Sequence, residues 1–242
     1  MSYLPFLLTL MLTIDTPSFK QKQLQFARVK EAYTEKADLV SGLLTARGIG
    51  NQYEILIRAF KTEKVVEVWA RNRSSSDPFV LITTYPFCSS SGMLGPKRKE
   101  GDLQIPEGIY YVNHFNPLSN FFLSLGINYP NSSDKLFADK EHPGGSIYIH
   151  GNCVTIGCIP ITDDKIKELY VLAVEARSSG QDKIPVHIFP ARLDAGQLEK
   201  LGRNYPEHLL FWKNLQEIYK DFETTHQLRK VTVDSGGVYR LE

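Results

Sequence analysis

Between residues 53 and 189 the chain returns again and again to runs of four to eight residues rich in β-branched and aromatic side chains, each closed by Gly, Pro or a polar turn. That pattern constrains the fold more than anything else in the sequence, because short punctuated runs build a sheet with many loops. The runs are 53–60 (YEILIRAF), 65–70 (VVEVWA), 79–85 (FVLITTY), 108–113 (GIYYVN), 121–127 (FFLSLGI), 147–150 (IYIH) and 185–189 (PVHIF). Helical periodicity appears in three places. Phe26, Val29, Tyr33, Ala37, Val40 and Leu44 stripe one helix that ends near Gly48. Ile166, Leu169, Ala173 and Ala176 stripe a second, with Thr162 or Asp163 as its cap, Asp163 and Asp164 in its first turn and Gly180 as its stop. Phe211, Leu215, Ile218 and Phe222 stripe a third, beyond Pro190, and a short VTV run (231–233) then precedes a Gly-Gly turn. The reading is an α+β, mainly β domain with an N-terminal helix and a C-terminal helical extension. Its expected segments are a signal-like apolar stretch (1–18), a helix and hairpin (19–76), a catalytic unit (77–190) and the extension (191–242). The central unit is the functional one, because strands held in a sheet give loops a rigid base.

Composition removes several functions. The 242 residues carry 28 basic and 27 acidic side chains, a formal charge of +1, so no global field holds a nucleic acid. Three cysteines cannot form a disulfide-dense scaffold, and at least one stays unpaired within the chain. The uncharged apolar run 3–14 (YLPFLLTLMLTI) is 12 residues long, short of the roughly 20 a transmembrane helix needs. It matches the apolar region of a secretory signal, although no Lys or Arg precedes Lys20 and no Ala-x-Ala site follows. A buried first helix is the plainer alternative; export to the periplasm or exterior is the expectation, with no stable membrane span.

One stretch carries chemistry: residues 144–160, GGSIYIHGNCVTIGCIP. A strand delivers His150 to its end, and a Gly-containing loop returns the chain to Cys158 just before a helix. A cysteine attacks as thiolate and needs a nearby base or positive dipole, which His150 supplies if the loop brings its two ends together. Gly157 beside the sulfur lets a carbonyl approach the backbone and leaves N–H groups to stabilise an oxyanion. On spacing alone, His-x7-Cys is a weak pattern, since a cysteine is more often a small buried hydrophobe.

These residues resemble the YkuD-like L,D-transpeptidases, bacterial cell-wall enzymes with a cysteine nucleophile. His150-Gly151 followed by Thr155-x-Gly157-Cys158 is similar to the family's active-site signature. Gly95-Pro96-Lys97, Gly101-Asp102 and Pro106-Glu107-Gly108-x-Tyr110 are similar to its upstream elements. The long form His-Gly-Asn-Cys-Val-x-Ile-Gly-Cys, with Tyr129-Pro130-Asn131 before it and 186–190 (VHIFP) after it, is closer to the YafK-like branch. The resemblance covers about residues 77–192. It implies an L,D-transpeptidase-like β-sandwich or barrel core with a helix after the cysteine. It makes Cys158 the nucleophile, His150 the general base or acid, the amides of Gly157 and Cys158 the oxyanion donors, and Lys97 and Thr155 substrate-binding residues. It implies acylation by a peptidoglycan stem peptide with loss of D-Ala, then transfer to an amine, as a 3–3 cross-link or a lipoprotein attachment. No cofactor or metal is implied. Three departures stand out: Ile156 replaces a second His, Pro160 replaces an Arg or Asn, and the gap from His150 to Cys158 is shorter than in the larger branch. The alternatives are hydrolytic release of lipoprotein from peptidoglycan at the same site, and a non-catalytic peptidoglycan-binding or zinc-stabilised module.

The remaining candidates have plainer readings. Cys153 is open to three: redox partner, zinc ligand beside His150, Cys158 and His142, or buried support for the loop, the last being preferred. Cys88 reads as structural. Lys97, Arg98 and Lys99 read as a solvated basic run, or as a carboxylate clamp led by Lys97. His187 reads as structural on its strand, and Tyr110, Tyr148 and Tyr170 as core or groove aromatics.

Overall fold

The computed structural model describes residues 17–242, so the apolar run 3–14 lies outside the described residues. Two helices come first, α1 (Phe19–Gln23) and α2 (Ala27–Thr45). α2 buries Val29, Ala32, Val40 and Leu44 and ends ahead of Gly48 at φ 73°, a left-handed position that favours glycine. Strands β1 (Tyr53–Phe60), β2 (Val65–Asn72) and β3 (Val80–Pro86) form an antiparallel meander. Then come β4 (Gly108–Asn116), β5 (Ser124–Ile127), α3 (Asp134–Phe137), β6 (Tyr148–His150), β7 (Ile159–Pro160), α4 (Thr162–Ser178) and β8 (Pro185–Phe189). The chain closes with α5 (Ala195–Asn204), α6 (Leu209–Thr225) and the hairpin β9 (Val231–Val233) and β10 (Tyr239–Leu241).

Strands β1 to β8 form one sheet in the order β3-β2-β1-β8-β4-β5-β6-β7. Alternation along the strands makes this sheet the middle of a layered molecule. In β8, Val186 and Ile188 face a first core with α2 and α4, whereas Phe189 enters a second core with Trp212, Leu215, Ile218 and Tyr219 of α6. In β1, Ile55, Ile57 and Ala59 face the first core and Phe60 the second. The architecture is the β-rich α+β fold expected, with helices closing both faces.

The details differ in instructive ways. β1 and β2 are hydrogen-bonded into the same sheet through β8, so the sheet does not begin at residue 77. The 121–127 run starts its strand only at Ser124, because Phe122 turns through φ 69°. Of the two expected caps Thr162 serves: at φ 70° it accepts the Lys165 N–H on Oγ1 at 3.4 Å, while Ile161 just before it makes no side-chain bond. Asp163 is used elsewhere, as the site shows.

Candidate active site

β6 and β7 run side by side in parallel, with Ile149 opposite Ile159 and His150 opposite Pro160. Adjacent strands lie about 4.8 Å apart. Residues 148, 150, 158 and 160 therefore share a face, and the chain from 151 to 158 crosses from the end of one strand to the start of the other. His150 and Cys158 line one small cavity of about 220 Å³ with Phe121, Val154, Thr155 and Ile156. Cys158 is the free cysteine of the chain.

His150 is buried. Phe121 stacks on its ring, with centroids 4.5 Å apart, and its Nδ1 is hydrogen-bonded to the Gly151 carbonyl. A carbonyl accepts only, so Nδ1 carries the proton and Nε2 is left with its lone pair. Burial lowers the His150 pKa, with the Gly151 bond opposing it, so the ring is neutral near pH 7. The Cys158 thiol is pushed up by burial, against the pull of the Tyr148 N–H, 3.4 Å from Sγ, and the charge of Lys97. The resting pair is thus thiol and imidazole, each neutral.

The loop between them is held at both ends. Asp163 Oδ1 accepts the Asn152 N–H at 2.7 Å. Gly151 is required because a Cβ there would come within 2.8 Å of the Phe121 carbonyl oxygen. Gly157 sits at φ 135°, and a Cβ on it would come 2.9 Å from the Gln104 carbonyl oxygen. Midway, Cys153 is disulfide-bonded to Cys88, just after β3, with Cα atoms 5.3 Å apart. Cys153 is therefore neither a metal ligand nor a buried free thiol. Among the described residues, no cluster of three His, Cys, Asp or Glu side chains could hold a metal ion.

Two site residues behave differently from expectation. The amides of Gly157 and Cys158 converge, but on Thr155 Oγ1, at 3.1 and 2.8 Å, while the Thr155 hydroxyl donates to the Cys158 carbonyl at 2.8 Å. These N–H groups are not free at rest; the Thr155 hydroxyl organises the loop, and Thr155 lines the cavity. Lys97 is buried; its Nζ donates to Asp102 Oδ1 at 2.6 Å and to the Lys99 carbonyl at 2.9 Å, so it is no free clamp for a substrate carboxylate. Asp102 also accepts the N–H groups of Arg98, Lys99 and Gln104. The Gly-Pro-Lys and Gly-Asp elements thus make a rigid turn whose Gln104 end backs Gly157.

The sequence did not point to the supporting roles that Phe121, Asp163 and Glu107 take around the site. Buried Glu107 accepts from Lys61 Nζ, the Gly95 N–H and Trp212 Nε1 at 2.9, 2.8 and 2.7 Å. Its place in the Pro-Glu-Gly run was the available signal. Tyr110 and Tyr170 are core residues, and His187 is buried on β8.

Residues 54–188 match the L,D-transpeptidase catalytic domain family, YkuD. YafK of Escherichia coli K12, a protein carrying an L,D-transpeptidase name, is 31% identical over 184 residues, which span 75% of this chain and 72% of that one. Among solved structures, the helical cell shape determining protein Pgp2 of Campylobacter jejuni aligns over 81% of this chain and 80% of its own, at 17% identity and TM-score 0.46. Bd1075 of Bdellovibrio bacteriovorus aligns over 70% and 60%, at 24% identity and TM-score 0.40.

Proposed function

Because the chain belongs to the YkuD family of L,D-transpeptidase catalytic domains, we propose that it transfers a peptidoglycan stem peptide through a thioester on Cys158. The observation that carries this reading is the shared cavity of Cys158 and His150, with Nδ1 tied to a carbonyl so that Nε2 is the basic atom. In the first step Nε2 takes the thiol proton as sulfur attacks the carbonyl between the third and fourth stem residues. The C–N bond breaks, the imidazolium returns the proton to the leaving amine, and D-Ala departs. In the second step His150 accepts a proton from an incoming amine as it attacks the thioester carbonyl, the C–S bond breaks to give a 3–3 cross-link or a lipoprotein attachment, and the imidazolium returns the proton to the departing sulfur. Water in place of the amine makes the same site a hydrolase.

The Gly157 and Cys158 amides serve as oxyanion donors when the substrate oxygen displaces Thr155 Oγ1, which holds them convergent until then. The Cys88–Cys153 disulfide supports work in an oxidising compartment, in keeping with export to the periplasm, where peptidoglycan lies. Intact-mass spectrometry with muropeptide donor is the test. A thioester adduct on Cys158, absent in Cys158→Ala, supports the reading, and turnover retained by Cys158→Ala ends it. His150→Ala should slow acylation roughly 10²–10⁴-fold, the usual share of a general base. Digests of treated sacculi separate the outcomes: new 3–3 dimers mean transfer, and freed lipoprotein stubs mean hydrolysis.

A further inference from the structure

A larger cavity lies farther along the sheet, and the thiol reaction does not use it. A cleft of about 770 Å³ lies between β4 and β8 on one side and residues 228–233 on the other. Ile109 and His187, a cross-strand pair, lie in its wall. The cleft is remote from Cys158. Strands β5 and β6 intervene between β4 and β7, and about 20 Å of β4 separates Ile109 from Asn116, which pairs with Ser124 opposite His150.

Charge is the first feature. Lys135, Lys183, Arg229 and Lys230 line the cleft, and no Asp or Glu does. Arg229 pairs with Asp221 and Lys230 with Glu242, but Lys135 and Lys183 have no carboxylate partner among the described residues. Lys183 Nζ rests over the Tyr111 ring, 4.7 Å from its centroid, which keeps the ammonium at the cleft. His187, 3% exposed, lines the same cleft, and its Nδ1 has no hydrogen-bond partner.

A free strand edge is the second feature, independent of the first. The Asp234 N–H bonds the Val238 carbonyl and the Glu242 N–H bonds the Lys230 carbonyl. In an antiparallel ladder this parity turns the N–H and C=O groups of Val231 and Val233 away from β10. Those groups have no partner among the described residues. Six consecutive residues, 228–233, line the cleft. Side chains of a strand alternate between faces, so an unbroken run means that the backbone edge itself looks inward.

We propose that this cleft binds an extended, carboxylate-bearing peptide, added as a third strand along β9 with its carboxylates against Lys135 and Lys183. A strand edge recognises peptide backbone and the lysines select negative charge. The occupant is a stem peptide other than the one being acylated, an identification that rests on the proposed function. The second stem anchors the protein on the polymer while the first reacts.

The experiment uses the Cys158→Ala chain, which cannot turn over, and disaccharide-tetrapeptide as probe, followed by backbone amide NMR. Shifts are expected at Val231, Val233 and His187. Binding should weaken at least 10-fold in K135E/K183E, and comparably when the peptide's carboxylates are amidated. Val231→Pro, which removes an outward N–H, should weaken it in the same direction, with Val231→Ala as the control for the packing that the valine side chain makes on the second core. Shifts confined to residues 150–158, affinity unchanged in K135E/K183E, or the same shifts from inorganic phosphate at equal concentration would each overturn the proposal. Because binding is read without turnover, the two readings fail separately. A chain that acylates on Cys158 but shows no cleft shifts loses only the cleft; one with cleft shifts that never acylates loses only the thiol chemistry.

Discussion

At Cys158 burial outweighs the Tyr148 N–H and the Lys97 charge, and at His150 burial outweighs the Gly151 bond. Both shifts favour the neutral forms, so the pair does not rest as thiolate and imidazolium; proton transfer accompanies attack. The sign of the pH dependence follows. A raised thiol pKa means that alkylation of Cys158 by iodoacetamide keeps climbing past about pH 8.5, the ordinary cysteine pKa, with no plateau near neutrality. A lowered imidazole pKa keeps His150 basic below about pH 6.5, so the acid limb of acylation should fall at lower pH than for an ordinary histidine. Alkylation and acylation rates from pH 5 to 10 check both, and a thiol plateau at pH 7 would contradict the burial argument. Thr155 adds a residue-scale test. Its oxygen accepts two amides and its hydroxyl donates to a carbonyl, so Thr155→Val should lower acylation about 10-fold, the equivalent of about 1.4 kcal/mol, while Thr155→Ser stays near the parent rate.

Eight of the ten strands, α2, α4 and α6 were legible in the sequence because each repeats a period over enough residues to show a face, whereas β7 and β10, of two and three residues, were not. Val29, Val40 and Leu44 are buried on α2, as are Leu215, Ile218 and Phe222 on α6. Three helices gave no such signal. α1 and α3 have only five and four residues, and α5 buries just Leu198 and Leu201. The pairing of His150 with Cys158 comes from the resemblance to the YkuD-like signature, since the spacing alone is a weak pattern. The Cys88–Cys153 bond could not be read from the sequence, since 65 residues separate its ends and only the folded β3 brings them together. Nor could the role of Thr155, which depends on backbone directions inside the loop. The disulfide fixes the middle of the loop whose ends carry base and nucleophile. Replacing both partners, as Cys88→Ser with Cys153→Ser, should cost about 2–4 kcal/mol of stability and reduce acylation through loss of loop order. Thermal unfolding and amide exchange of residues 151–158 measure the two effects; unchanged exchange would confine the bond to global stability.

The C-terminal segment reads from sequence as an elaboration, yet in the whole molecule it supplies nine of the eleven buried residues of the second core. Trp212 is fully buried against the outer side of the sheet, among Phe60, Phe189 and Tyr219. Its Nε1 donates to Glu107, which also takes the buried Lys61 ammonium and the Gly95 N–H that begins the Gly-Pro-Lys turn. Arg58, fully buried in β1, pairs with Glu223 of α6 at 2.6 Å. The extension therefore closes an apolar face and also neutralises a charge beneath it. Burying one large apolar side chain contributes about 1.5–3 kcal/mol. Trp212, Leu215, Ile218, Tyr219 and Phe222 together contribute about 7.5–15 kcal/mol on that scale, comparable with the roughly 5–15 kcal/mol that holds a typical domain. A chain ended after residue 190 should thus fail to give a cooperative thermal transition and should expose Phe60 and Phe189 to hydrophobic dye, although all eight strands and the His150–Cys158 loop remain. Glu107→Ala should reproduce part of that loss in the full chain, about 3–5 kcal/mol, because it strands the Lys61 ammonium in the interior. A truncated chain that melts cooperatively near the full-length temperature would show that the central sheet stands by itself.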